Sequence, residues 1–111
     1  MADCIFCQIA SGEIQGSVVY HDEHVTAFRD VNPQAPTHVL IVPNRHVASL
    51  QELEDADLSQ RLLRVAATIA ADEKLDRGWR LVTNVGPDAG QSVLHLHWHL
   101  LGGRKLSWPP G

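Results

Sequence analysis

The stretch HLHWHLLGG, His95 to Gly103, places a histidine at every second position and fills the positions between with large apolar residues. Successive side chains of a β-strand point to opposite faces of the sheet. The three histidines are therefore predicted to share one face, with neighbours about 6 to 7 Å apart along the strand. Leu96, Trp98 and Leu100 share the other face. The apolar set anchors the strand in a core, and the histidine set lines a surface or cleft.

Three uses fit such a row of histidines. Imidazoles two residues apart on a strand can bind one zinc ion. Alternatively, one imidazole acts as a nucleophile while its neighbours set its tautomer and charge. The third interpretation is a polar sheet face that merely tolerates histidine, and three histidines in register, followed by Gly102 and Gly103, make it the weakest of the three.

The loop NVGPDAGQS, from Asn84 to Ser92, precedes the histidine row. Gly86 and Gly90 let the backbone come close to a ligand, and Gln91 and Ser92 offer side-chain and backbone donors. Backbone N–H groups oriented in a turn form an anion-binding concavity. Beside three histidines, the loop indicates a phosphate held for attack by an imidazole.

Length and charge limit the possible functions. The 111 residues, of which 44% are hydrophobic, predict a single domain over 1–111. The net charge of −4 argues against a non-specific nucleic-acid binder, which would carry a basic stripe. It also predicts that phosphate binding rests on N–H donors and histidines, not on Lys or Arg clusters. No apolar run is long enough to cross a bilayer, and we see no secretory signal. We therefore expect a cytoplasmic protein with neither nucleic-acid nor membrane partners.

Hydrophobic patterning predicts strands in runs with one long helix inserted. The predicted strands are 17–20, 25–29, 38–42, 79–85 and 93–101, and the predicted helices are 4–10 and 55–74. In the long helix, apolar residues recur every three or four positions from Leu58 to Ile69. Asp55 or Asp57 caps its start, and Gly78 lies beyond its end. Short turns join the early strands, which favours antiparallel pairing and the α+β class.

The motif HLHWHLL fits the pattern His-apolar-His-apolar-His-apolar-apolar throughout, and in this the chain resembles the histidine triad (HIT) superfamily of nucleotide hydrolases and transferases. The stretches NPQAPTHVLIVP, GQSVLHLHWHLLGGR and WPPG further resemble its Hint branch, the histidine triad nucleotide-binding proteins. The resemblance implies a five-stranded antiparallel sheet per protomer, with one long helix and a short N-terminal helix. It also implies a homodimer.

The activity that the resemblance implies is hydrolysis of purine nucleoside phosphoramidates. The middle histidine attacks the α-phosphorus, displaces an amine and forms a nucleotidyl-histidine, which water hydrolyses to AMP or GMP. An adenylated lysine or an aminoacyl-adenylate would be an equivalent substrate. The alternatives are a dinucleoside polyphosphate hydrolase or nucleotidyl transferase of the same superfamily, a non-catalytic nucleotide-binding module, and a hydrolase that uses the histidine row as zinc ligands.

Carried over residue by residue, the resemblance makes His97 the nucleophile and gives His99, His38 and Ser92 supporting catalytic roles. Asp30 matches the acid that accepts the ribose hydroxyls. Further nucleotide contacts are implied on the phosphate side at Asn84, Gly90, Gln91 and Ser92, and around the nucleobase at Ile5, Phe6, Ile9, Ile14, Val31 and Leu40. For the apolar positions, ordinary core packing is the alternative. Trp108 matches a tail tryptophan that reaches toward the partner protomer's site.

The pair CIFC places Cys4 and Cys7 on one face of the short helix. In a chain without an export signal, such a pair indicates metal or redox chemistry. Bacterial HIT proteins with this pair bind zinc through two further histidines, and the matching positions here are His46 and His95. A closed set of four ligands is typical of structural zinc. We therefore expect zinc to stabilise the fold and to remove His95 from acid–base chemistry; the alternative is two reduced cysteines on a buried helix face.

Overall fold

The computed structural model describes residues 4–111 as two helices on opposite faces of one antiparallel sheet. The helices are α1 (Ile5–Ala10) and α2 (Ala56–Asp72), and a short 3-10 turn covers Leu50–Glu52. The strands are β1 (Val18–His21), β2 (Val25–Arg29), β3 (Thr37–Pro43), β4 (Trp79–Thr83) and β5 (Trp98–Gly102). Their order in the sheet is β1-β2-β3-β5-β4. The predicted α+β class is confirmed, as is the predicted five-stranded antiparallel sheet with one long and one short helix.

The central strand β3 explains why the helices take opposite faces. All seven of its residues are buried, because β2 and β5 pair with its edges and both of its faces are covered. Val39 and Ile41 belong to the larger core cluster, into which α2 packs its apolar stripe. Leu40 and Val42 belong to a smaller cluster on the other face, where Phe6 of α1 packs. The histidine row lies on this second face.

The long helix begins and ends with specific caps. The side chain of Asp55 accepts a hydrogen bond from the backbone N–H of Leu58, so that Asp55 is the N-cap. At the other end, Lys74 adopts a left-handed φ of 59°, and the N–H of Leu75 bonds back to the carbonyl of Ala70. This is a Schellman-type ending, with lysine where glycine is usual. Gly78 lies beyond the helix end, as predicted, and the residue with the left-handed φ that ends the helix is Lys74. No helix within residues 4–111 is both long and apolar enough to span a bilayer.

Candidate functional site

The histidine row has the predicted alternation of faces, but regular strand pairing begins later than predicted. Leu96 and Leu100 are buried in the core under α2, and Trp98 packs against it. On the other face the rings of His97 and His99 are 5.0 Å apart. β5 starts only at Trp98, not at position 93, because its partner β4 ends at Thr83, the residue that pairs with Trp98. Before Trp98 the backbone forms hydrogen bonds outside the sheet, and the N–H of Leu96 donates to the carbonyl of Val47 at 2.6 Å.

His97 is held in one tautomer by its own backbone. Its Nδ1 lies 2.8 Å from the carbonyl oxygen of His95, and because a carbonyl only accepts, Nδ1 carries the hydrogen. In the neutral ring the lone pair is then on Nε2. The side chain is 6% exposed, and the ring of Phe6 meets it edge-on at 5.0 Å. His97 thus has the form that a nitrogen nucleophile requires.

The tautomers of His38 and His99 follow from one backbone donor. The N–H of Gln34 donates to Nδ1 of His38 at 3.0 Å, so the hydrogen of the neutral His38 ring is on Nε2. That Nε2 lies 2.9 Å from Nδ1 of His99 and donates to it. His99 in turn carries its hydrogen on Nε2. The row therefore presents a lone pair on His97 beside an N–H donor on His99.

Burial favours the neutral imidazoles of His38 and His99. Loss of solvation lowers the pKa of His99 to about 4, and the nearby His97 and His38 add to the effect. Burial also lowers the pKa of His38, although the carboxylate of Asp30 opposes the shift. Asp30 Oδ2 lies 3.5 Å from Nε2 of His38, and its Oδ1 accepts the N–H of Asn32. The predicted ribose acid is thus beside the histidine row.

A cleft of about 460 Å³ opens over this part of the row. His38, His99 and Asn84 line it, as predicted site residues, together with the tail from Leu106 to Gly111 except Trp108. Arg80 and Arg104 also line it. The two arginines give this cleft a local positive charge that the chain's net charge of −4 does not indicate. Trp108, at 81% exposed, lies on the surface.

The glycine loop is braced from within. The carboxamide nitrogen of Gln91 donates to the carbonyls of Ala48 and Val93, at 2.8 and 3.1 Å, and its oxygen accepts the N–H of Gly86. The backbone N–H of Gln91 donates to the carbonyl of Gly86. Gln91 therefore shapes the loop and has no free donor, contrary to the prediction. Gly90 has φ 84° and donates its N–H within the loop, and Ser92 is exposed.

The apolar residues predicted around a nucleobase divide into two groups. Phe6, Leu40 and Ile9 pack in the smaller core cluster, together with Phe28 and Val93, which the sequence analysis did not single out. The others are exposed on the surface: Ile5, Ile14 and Val31. Val31 is fully exposed, so it does not pack in the core.

The four predicted metal ligands lie together at the start of the histidine row, of which His95 is the first member. Nδ1 of the buried His95 is 3.3 Å from Sγ of Cys4 and 3.4 Å from Sγ of Cys7, and Nδ1 of His46 is 3.4 Å from Sγ of Cys7. All four donor atoms lie within 4.8 Å of one another. Sulfur and nitrogen ligands of one tetrahedral zinc ion are about 3.5 Å apart, given bond lengths of about 2.3 and 2.0 Å.

Protonation also fits a metal at these four residues. Nε2 of His95 donates to the carbonyl of Pro43 at 2.8 Å, which leaves the Nδ1 lone pair facing the sulfurs. Burial lowers the pKa of His95, so the ring is neutral as a ligand must be. Burial raises the pKa of the Cys7 thiol, and a bound cation would reverse that shift. A second group, Asp30, His38 and His99, is close enough for a metal, but its two imidazoles already hydrogen-bond each other.

Comparison with known proteins gives concordant results. Residues 11–106 match the HIT domain family. A 14 kDa zinc-binding protein of Zea mays is 50% identical over 111 residues, which cover 96% of this chain and 87% of the relative. The crystal structure of a HIT family hydrolase from Legionella pneumophila superposes with a TM-score of 0.96 at 48% identity, covering 98% of this chain and 100% of that one.

A histidine triad nucleotide-binding protein from Candida albicans superposes with a TM-score of 0.84 at 32% identity, over 96% of this chain and 83% of that one. The family match spans most of the chain, and it includes β5 with the histidine row. The fold agrees with it. The chain therefore belongs to the HIT family of proteins.

Proposed function

We propose that this protein is a purine nucleoside phosphoramidate hydrolase of the Hint branch, with His97 as its nucleophile. The observation that carries the proposal is the bond from Nδ1 of His97 to the His95 carbonyl, because it leaves the Nε2 lone pair for attack. The His99 N–H beside it suits a phosphate oxygen on which negative charge grows. The names of the Legionella hydrolase and the Candida nucleotide-binding protein support the same class.

In the first proposed step, Nε2 of His97 forms a bond to the α-phosphorus while the bond from phosphorus to the leaving nitrogen breaks. The departing amine takes up one proton that is delivered from solvent through the Nε2–H of His99 or the hydroxyl of Ser92, so that neither side chain is left as an anion. The ring of His97 becomes positively charged, and the His95 carbonyl stabilises it through the hydrogen on Nδ1. Water then attacks phosphorus, returns one proton, releases the nucleoside monophosphate and restores neutral His97.

The remaining residues would bind the nucleotide. The carboxylate of Asp30 can accept both ribose hydroxyls. Asn84 and Arg80 line the cleft and can donate to phosphate oxygens. On the nucleobase side, Val31 and Ile5 would cover an aromatic ring that the buried Phe6 and Leu40 cannot reach directly.

We further propose that Cys4, Cys7, His46 and His95 bind structural zinc. The donor set is a closed Cys₂His₂ type with no position for a substrate, and the maize relative is named for zinc binding. The ion would join α1 to the segment that precedes β5. Since the His95 carbonyl orients His97, this would hold the nucleophile in place. Thiolate ligands of this kind suit a reducing compartment, in accordance with a cytoplasmic location.

A homodimer is the proposed assembly. Within residues 4–111, β4 pairs only with β5 and its other edge is free. Trp79 at the start of β4 is 41% exposed, and Val85 just after its end is 39% exposed. An open strand edge beside apolar side chains is a surface on which a second copy can pair. Light scattering at two protein concentrations tests this assembly, since a monomer at both would contradict it.

The activity is tested by assaying hydrolysis of adenosine 5′-phosphoramidate and of diadenosine polyphosphate. We expect turnover of the phosphoramidate to fall by at least about 10³-fold in His97→Gly. The control is His24→Gln, which changes an exposed histidine of the β1–β2 turn and should be neutral. Faster turnover of the diadenosine compound would favour the polyphosphate hydrolase. Full activity in His97→Gly would exclude His97 as nucleophile.

A further inference from the structure

A second concave surface, the basic recess, lies between the loop after α2 and the segment after β5. It has a volume of about 570 Å³, and residues 74–78 and 103–105 line it. Four of these residues are cationic, and Asp76 is the one carboxylate among them. The four cations are Lys74, Arg77, Arg104 and Lys105.

The recess reverses the charge of the chain locally. The whole sequence has 13 acidic side chains and nine Lys or Arg, and four of those nine meet here. Elsewhere in the described chain, Arg29, Arg45 and Arg61 each pair with a carboxylate. None of the ion pairs among residues 4–111 includes a cation of the recess. Unpaired like charges repel one another, and a bound anion would offset that repulsion.

Hydrogen bonds hold one of these cations, Arg104, in place, and a second, Lys74, lies on a left-handed backbone. Nε of Arg104 donates to the Gln34 carbonyl at 3.0 Å and Nη1 donates to the Lys105 carbonyl at 2.9 Å. This fixes the guanidinium, and its Nη2 hydrogens have no partner within the described residues. Lys74 occupies a left-handed conformation that glycine adopts at lower cost. A favourable interaction with the C-terminal dipole of α2 explains why a lysine lies at position 74. Arg104 and Lys105 come from a different segment, so the dipole does not explain their presence here.

We propose that the basic recess is a second anion site, separate from the nucleotide cleft, for a small phosphate anion of the pyrophosphate class. Guanidinium and ammonium groups are the side chains that bind phosphate oxygens most strongly. No aromatic side chain is among the lining residues, so the recess offers nothing on which a nucleobase can stack. Arg104 lines both the recess and the cleft, and Gln34, whose carbonyl accepts from Arg104, donates its own N–H to His38.

The test is calorimetric titration of inorganic pyrophosphate into the full chain, with AMP saturating the nucleotide cleft. The wild type should bind one pyrophosphate per chain. Arg77→Gln should weaken this binding at least fivefold. The matched control is Arg64→Gln, which removes an exposed arginine of α2 that pairs with no carboxylate in the described chain and should change binding less than twofold.

Three results would overturn the proposal. The first is that pyrophosphate does not bind in the presence of AMP, and the second is that AMP displaces bound pyrophosphate. The third is that Arg77→Gln and Arg64→Gln weaken pyrophosphate binding equally. The last would reduce the effect to general surface charge. Phosphoramidate hydrolysis by Arg77→Gln should equal that of the wild type, so that failure of the anion site is distinguished from failure of the proposed activity.

Discussion

Gly103 allows a quantitative test of how the segment after β5 supports the site. Its φ is 89°, and a Cβ added there would lie 2.9 Å from Cβ of Pro36. Pro36 belongs to the turn from which Gln34 donates to His38. Gly12, with φ 81° and no atom within 4 Å of an added Cβ, is the matched control. Alanine at either position takes on the left-handed strain, and only Gly103→Ala adds the contact with Pro36.

The expected magnitudes follow from these two contributions. A left-handed conformation costs alanine about 1–2 kcal/mol, and the stiffer unfolded chain returns about 0.4–1 kcal/mol. Gly12→Ala should therefore destabilise by about 1 kcal/mol. Forcing a methyl group against a fixed ring adds about 1–3 kcal/mol, so Gly103→Ala should lose about 2–4 kcal/mol.

Urea denaturation followed by circular dichroism measures both variants. Because the Pro36 turn orients His38, we also expect Gly103→Ala to lower kcat on adenosine 5′-phosphoramidate, whereas Gly12→Ala should not. Equal destabilisation by the two variants, within about 0.5 kcal/mol, would refute the reasoning from the Pro36 contact. It would mean that the Pro36 turn moves away from the added methyl group without a measurable loss of stability.

Three further predictions concern the histidines and the metal. His38→Phe keeps an aromatic ring but removes the donor to His99, so kcat should fall up to about tenfold, the worth of one hydrogen bond. A loss below twofold would exclude a role for the His38–His99 hydrogen bond in turnover. The pKa of His99 is about 4 in the folded protein, against 6.5 for a free histidine, so its contribution to stability is complete above pH 6.5 and declines as the pH falls toward 4. Urea titrations should show a shallower decline in the free energy of unfolding of His99→Asn, by at most about 3 kcal/mol. Identical pH profiles of the two proteins would contradict this prediction. Cys7→Ala should lose bound zinc, measured by atomic absorption, and should melt at a lower temperature, as should the wild type after chelation. Unchanged zinc content in Cys7→Ala would remove Cys7 from the ligand set.

The periodicity of the sequence predicted which residues face the site. A two-residue period fixes the sides of a strand from sequence alone, and so the opposite placement of Leu96 and His97 followed directly. The same holds for the apolar stripe of α2, which packs on the core as predicted. The cysteine pair and the two matching histidines also come together, at separations of 39 and 91 positions in the chain.

Features that depend on distant partners could not be predicted in this way. The sequence pattern predicts a strand that begins at residue 93. The strand begins at Trp98 instead, because its hydrogen-bonded pairing with β4 ends at Thr83. Gln91 has a side chain that could donate hydrogen bonds to a ligand, yet its amide nitrogen donates to the backbone carbonyls of Ala48 and Val93. Likewise, a net charge of −4 gives no sign that Arg80 and Arg104 meet at one cleft.

The central claim is that His97 forms a bond to phosphorus during turnover. Intact mass spectrometry of the wild type, quenched during hydrolysis of adenosine 5′-phosphoramidate and followed by peptide mapping, tests it most directly. We predict a transient adduct of one adenylyl group per chain, located on His97 and absent from His97→Gly. Turnover without an adduct, or an adduct on another residue, would contradict the account.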